Sequence, residues 1–394
     1  MRDIVIVANF CRDFSVSDNG RFVYLAKMLS LSNSVEIITS DFNHATKKKR
    51  DKKIAQWPFK VTFLEEPGYY KNVSLRRFYS HYVMGKSLSK YLKSRKKPDI
   101  IYCAIPSLDV AYVAAQYAKK NNVKFIIDIQ DLWPEAFKMI FDMPIVSNSL
   151  FYPMQIKANY VYATADEIVA VSQTYVNRAL SVNEKCKKGH SIFLGTELRN
   201  FDDMAERNNI ILKSDEETWI AYIGTLGYSY DLISVIDALK IINERGFRNI
   251  KFIVMGDGPL KSDFQYYAKQ KDVYAEFTGR LDYEKMVGLL ISCDIAVNPI
   301  KKGSAGSIIN KVGDYAAAGL PVVNTQESIE YRELINEYNC GINCDVENAN
   351  SMANAIIELT INGNLRKQMG QASRRLAEEK FDREKTYKEI FRLI

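Results

Sequence analysis

Short apolar runs alternate with amphipathic stretches along most of the chain. DIVIVA at 3–8, VEIITS at 35–40, DIIYC at 99–103, VKFIID at 123–128 and EIVAVS at 167–172 predict strands. Helical stretches at 20–31 and 107–121 lie between them, and helix-like TYVNRAL follows the last. The rhythm pauses over 198–217, LRNFDDMAERNNIILKSDEE, which is polar without a clear period and predicts a linker. It resumes with strands at 219–224, 250–256, 273–279, 293–299 and 320–325. Helices are expected at 230–245, 259–271, 327–337, 347–361 and 363–380. A βαβ rhythm of this kind argues for parallel sheets covered on both faces. Two doubly wound α/β halves of similar size are therefore expected, with ligands at the carboxyl ends of the strands. The natural site is the cleft between the two halves.

Composition agrees with this picture. The chain has 394 residues, 47% apolar and 26% charged, which fits a soluble globular protein of two or three domains. Mean hydropathy is −0.21, and no apolar run approaches the ~20 residues of a spanning helix. The opening MRDIVIVANF reads as a first strand rather than a secretory signal. Six cysteines are too sparse for a disulfide framework, and only His44, His81 and His190 could join them around zinc. Reduced thiols, no metal site and a cytoplasmic location are expected. The net charge of +7 is uneven: residues 1–200 hold 30 basic against 18 acidic side chains, the remainder 24 against 29. Residues 47–97 alone hold 16 basic against 3 acidic. This stretch is either a solvated face or a surface for an anionic partner.

Three glycine-bearing turns follow predicted strands. Gly20 closes the first turn before a helix, where it either admits a ligand to the backbone or serves the turn. In IGTLGYSYDL, Gly224, Thr225 and Gly227 form a loop whose amides can hold phosphate oxygens. MGDGPL is equally well a tight turn with Pro259 opening a helix. The strongest constellation is GSAGSIINKVGDYAAAGLP. Ser304, Gly306 and Ser307 lie in a small-residue loop leading into a helix, Lys311 can neutralise a pyrophosphate, and Asp314 can accept ribose hydroxyls. The alternative is that Lys311 and Asp314 are surface residues of a packed helix.

With these residues in view, the chain resembles the group 1 (family 4) retaining glycosyltransferases of GT-B fold. The resemblance rests on NKVGDYAAAGLPVV, GDGPL, YAEFTGRL and DIQDLWPEAF, covers nearly the whole chain, and points to the bacterial surface-polysaccharide branch. It implies an acceptor-binding half at 1–200, a nucleotide-sugar-binding half at 201–379, and a terminal helix near 380–394 crossing back. Of the family's acidic pair around the donor, the second falls on Asp314 and the first on Gly306. The basic pair usual after the first strand of the second half is missing from GTLGYSYDL, so Lys311 and Arg280 are expected to carry that charge.

The expected reaction moves a hexosyl or N-acetylhexosaminyl unit from a nucleotide diphosphate, UDP favoured, to a glycan or lipid-linked acceptor, with retention. No D-x-D occurs, so no metal clamp and no cofactor are expected. Asp131 and Glu135 are the expected acceptor contacts or base, the alternative being helix capping. The basic, aromatic stretch around Lys47–Arg50, Arg76–Arg77 and Lys93–Lys97 is expected to hold the first half on the inner face of an anionic membrane. An epimerase of the same fold is disfavoured by the three scattered histidines, and an inactive partner subunit stays open through Gly306. A nucleic-acid binder lacks a recognised module.

Overall fold

The computed structural model describes the chain except residues 12–13, 15–19, 52–53, 55, 73, 139–143, 209–212, 215 and 305–306, and the side chains of 138 and 144–148. Two compact units emerge: Met1–Ile192 with Tyr387–Ile394, and Phe193–Thr386. The division thus falls at 192/193, ahead of the expected 200/201.

The first unit is built on strands β1 (Asp3–Val7), β2 (Ser34–Ser40), β3 (Lys60–Leu64), β4 (Ile100–Ile105), β5 (Lys124–Ile129), β6 (Glu167–Ala170) and β7 (His190–Ser191). They form one parallel sheet in the order β3-β2-β1-β4-β5-β6-β7. Ile4, Val5, Ile6 and Val7 are wholly buried, as a strand covered on both faces requires. Helices α1 (Arg21–Leu29), α2 (Leu75–Ser94) and α3 (Leu108–Asn121) provide part of that cover. Tyr387, Ile390 and Ile394 join the core beside Tyr24, whose ring meets that of Tyr387 edge-on at 5.5 Å. At the centre, Arg21 is buried and bonds both oxygens of Asp128, at 2.7 and 3.2 Å. Burial opposes the Arg21 charge, but Asp128, Tyr387 and Tyr102 around it hold its pKa above that of an ordinary arginine.

The second unit repeats the plan with β8 (Thr218–Ile223), β9 (Ile250–Met255), β10 (Ala275–Gly279), β11 (Ile295–Asn298), β12 (Val322–Asn324) and β13 (Gly341–Asn343). The parallel order is β10-β9-β8-β11-β12-β13. In each sheet the order reverses beside the first strand of the unit, which opens a crevice at the carboxyl ends there. The expected linker is instead largely helix, α4 (Leu198–Asn208). Leu198 and Phe201 are buried, with Met204 and Ala205 packed against the same core. Four apolar residues make one narrow helical stripe, and the surrounding charges hid its period. Asp202 on its outer side pairs with Arg374 at 2.6 Å. Three further helices of this unit bear on its site: α5 (Leu232–Glu244), α6 (Lys261–Gln270) and α7 (Lys311–Ala317).

Candidate functional site

The loop after β8 begins at Gly224, whose φ of +131° suits glycine alone. Its backbone runs against the loop after β9. A Cβ on Gly256 would lie 1.8 Å from the Gly224 carbonyl oxygen, and one on Gly258 would lie 2.3 Å from that of Leu226. The two loops are laced by Leu226 N–H to Asp257 O at 2.9 Å and Leu260 N–H to Leu226 O at 3.0 Å. The glycines of MGDGPL are thus explained by backbone packing. Gly227 meets no such limit, because its Cβ would find nothing nearer than Thr225 Cγ2 at 3.6 Å.

Lys311, the first residue of α7, reaches this loop. A Cβ on Gly224 would stand 3.2 Å from both Cε and Nζ of Lys311. The amine lies 3.9 Å from the ring centroid of Tyr222 and 4.0 Å from that of Tyr230. It is buried and makes no hydrogen bond. Burial pushes its pKa well below that of an ordinary lysine. Lys311 is therefore not a surface residue. It is a desolvated amine with three donor positions and only aromatic faces around it.

Asp314 lies one turn on. Its Oδ1 accepts from the hydroxyls of Thr196 at 2.9 Å and Tyr283 at 2.8 Å, so the hydroxyls it holds here belong to its own chain. Ser304 donates its amide to Lys301 O at 3.0 Å, and the Ser307 carbonyl accepts from Gln326 Nε2 at 2.6 Å. Gly306 lies outside the described residues. Thr225 and Arg280 are exposed. Lys261, which opens α6, comes near the same strand end, since a Cβ on Gly279 would lie 3.2 Å from its Nζ. Of the expected donor residues, the structure brings Gly224 and Lys311 into contact. Sequence reasoning missed Tyr222 and Tyr230, whose signal was their position flanking the glycine loop.

In the first unit, Gly20 has an ordinary extended φ of −79° and caps α1 without needing glycine's freedom. Asp131 accepts from Trp133 Nε1 at 3.2 Å, and burial raises its pKa. Glu135 pairs with Arg178 at 2.6 Å through Oε1, while its Oε2 is buried without a partner. At the crevice beside β1, Asn9 is 2% exposed with neither amide atom bonded, and Ser107 after β4 has an unbonded Oγ. Neither residue belongs to a motif, and only the topology reveals them.

The structure corrects the reading of the Lys47–Arg50 cluster. Lys49 bonds both oxygens of Asp41 at 2.8 Å, and Arg50 is buried against the carbonyls of Ser40 and Cys11. Lys47 reaches Asn72 Oδ1 at 2.6 Å. Within this cluster Arg50 is buried and Lys47 half-buried, while Lys48 and Lys49 remain exposed. A further exposed basic surface lies on α2, where Leu75, Tyr79 and Tyr82 stand out with Lys86, Lys90 and Lys93. No helix among the described residues is long and apolar enough to cross a membrane.

Comparison with known proteins bears on the fold. Residues 203–376 match the family Glycosyl transferases group 1. An uncharacterized glycosyltransferase of Methanocaldococcus jannaschii is 26% identical over 62% of this chain and 62% of its own length. From Campylobacter jejuni, GalNAc-alpha-(1->4)-GalNAc-alpha-(1->3)-diNAcBac-PP-undecaprenol alpha-1,4-N-acetyl-D-galactosaminyltransferase is 22% identical over 57% of this chain and 55% of its own. The chain spans about three fifths of the length of the curated relatives it matches first. Among solved structures, Anabaena HepE in complex with UDP superposes with a TM-score of 0.72 over 99% of both chains at 14% identity. The fold is that of the GT-B glycosyltransferases, with two Rossmann-like halves.

Proposed function

We propose that the chain is a retaining, metal-independent glycosyltransferase. It moves a hexosyl or N-acetylhexosaminyl unit from a UDP-sugar to a glycan or lipid-linked acceptor in bacterial surface-polysaccharide synthesis. The observation that carries the reading is Lys311, a buried amine without a polar partner against the Gly224 loop at the carboxyl end of β8. A diphosphate leaving group builds negative charge as the sugar departs. An ammonium there meets that charge in a desolvated setting, where the attraction is far stronger than in water. The missing D-x-D and the UDP complex of HepE support the same donor chemistry. The Campylobacter relative, named for a PP-undecaprenol-linked glycan, supports a lipid-linked acceptor.

In the first unit, Asp131 is the acceptor-side base, since burial raises its proton affinity. The exposed aromatic and lysine face of α2 would rest on an anionic membrane. Sugar transfer from a UDP-sugar panel to a lipid-linked acceptor, followed with excess EDTA, tests the reaction. Activity lost in EDTA and restored by Mg²⁺ would overturn the metal-independent mechanism. A protein that gives neither heat nor a raised melting midpoint with UDP would overturn the donor assignment.

A further inference from the structure

Several cations of the first unit are paired with acids within the fold. Arg21 is paired with Asp128, Lys49 with Asp41, and Arg95 with Asp3 and Glu36. Lys47 and Arg77 are drawn into the fold without such a pair: among the described residues neither has a carboxylate within salt-bridge distance. Arg77 of α2 is 7% exposed and packed among aromatic rings, with its guanidinium 4.5 Å from the Trp133 centroid, 5.4 Å from Tyr69 and 5.6 Å from Phe10. It donates Nη1 to Asn72 O at 2.7 Å, and its Nε has no partner. The Lys47 amine lies 4.9 Å over the Tyr69 ring and 3.2 Å from His44 Nδ1. His44 Nδ1 also accepts from the Tyr69 hydroxyl at 2.6 Å. With Nδ1 facing two donors, the imidazole proton sits on Nε2, leaving a further N–H donor at the half-exposed rim. His81 is buried behind this group, stacked on Trp133, with Nε2 unbonded.

Two acids stand nearby, and both favour the Arg77 charge, but burial outweighs them and lowers its pKa. Glu66 is taken up by Ser80 Oγ at 2.8 Å and lies 3.8 Å from His81 Nε2; Asp131 is held by Trp133. Burial raises the pKa of both. Arg77 is also supported by the Tyr69 hydroxyl, whereas on Lys47 and His44 burial and neighbouring cations act together. Burial and then Arg77 lower Lys47 to about 8, while burial, Lys47 and Arg77 lower His44 to about 3. Lys47 also holds a left-handed φ of +58°, a conformation a non-glycine residue adopts only at a cost.

We infer that Lys47, Arg77 and His44 form an oxyanion site for a phosphoryl group of the acceptor, close to Asp131. The inference rests on the reading of the first unit as the acceptor half. A planar guanidinium, a point-charge ammonium and a neutral N–H donor are the set that phosphate oxygens take, and a neutral glycan has no use for a buried guanidinium beside a half-buried ammonium. The phosphoryl group comes either from a lipid-linked pyrophosphate or from a free sugar phosphate.

The test is calorimetry with UDP held at saturation, so that the donor site is filled. Inorganic pyrophosphate, farnesyl pyrophosphate and a hexose 1-phosphate are then titrated. Binding of at least one probe is expected, weakened tenfold or more in K47Q and in R77K. K47Q changes a half-exposed side chain and keeps the test open if R77K does not fold. Preference for the farnesyl compound assigns the group to a lipid, and preference for the hexose phosphate assigns it to a soluble acceptor. No probe binding, or equal binding by wild type and K47Q, overturns the site. If UDP itself fails to bind, the donor reading falls, and the same K47Q comparison without UDP still decides the oxyanion site.

Discussion

Replacing Lys311 with methionine separates two effects of opposite sign. In the free protein the amine is buried between Tyr222 and Tyr230 and makes no hydrogen bond. Desolvated cation–π contacts return about 2 kcal/mol, and an unsatisfied buried donor costs about 1–3 kcal/mol. Methionine fills similar space without a polar atom, so K311M should change stability by no more than about 1 kcal/mol in either direction, the balance of those terms. The pH dependence carries its own sign. Burial holds the folded-state pKa of Lys311 well below the ordinary value. Between that folded pKa and about 10.4, the unfolded chain binds the extra proton, so wild-type stability rises with pH by at most about 1.4 kcal/mol per unit. Urea melts of both proteins across this window should show wild type gaining on K311M as pH rises and levelling off above it. UDP affinity moves the other way. A charge-assisted contact is worth roughly 1.5–3 kcal/mol, so K311M should bind UDP about 10- to 150-fold more weakly. The reasoning is refuted if K311M loses more than about 3 kcal/mol of stability, the signature of breaking a buried pair, while UDP binding survives intact.

Other outcomes follow from packing and charge. R21M strands the buried Asp128 carboxylate with the Tyr102 hydroxyl and the Gln130 amide as its donors, and should cost about 3–5 kcal/mol in denaturant melts. G256A drives a methyl group into the Gly224 carbonyl at 1.8 Å and should cost at least about 1–3 kcal/mol, whereas G227A, with its nearest contact at 3.6 Å, should stay within about 0.5 kcal/mol. Binding to anionic vesicles should fall steeply with salt and should drop when Lys86, Lys90 and Lys93 of α2 become glutamate, each contributing roughly 1 kcal/mol. Equal sedimentation with anionic and neutral vesicles would remove the membrane surface from the function.

The sequence by itself determined the two doubly wound halves. Fully buried parallel strands must be written as continuous apolar runs, and runs such as DIVIVA and IKFIVM can be read without any partner in view. It also singled out Gly224 and Lys311, because a glycine loop after a strand and a lysine at a helix start are local patterns. It did not show α4, since Leu198, Phe201, Met204 and Ala205 form a stripe too thin to stand out among the charges. Nor did it separate the roles of the glycines. Gly256 is required by the neighbouring loop, a contact between segments some thirty positions apart. The largest revision concerns charge. Sequence counts Lys47, Lys49, Arg50 and Arg77 alike, but burial and partners are properties of the folded chain. Lys49 is spent on Asp41, Arg50 on carbonyls, and Lys47 and Arg77 are left without an acid. Which cations remain to meet a ligand depends on what the fold brings beside each of them, and that is a tertiary fact.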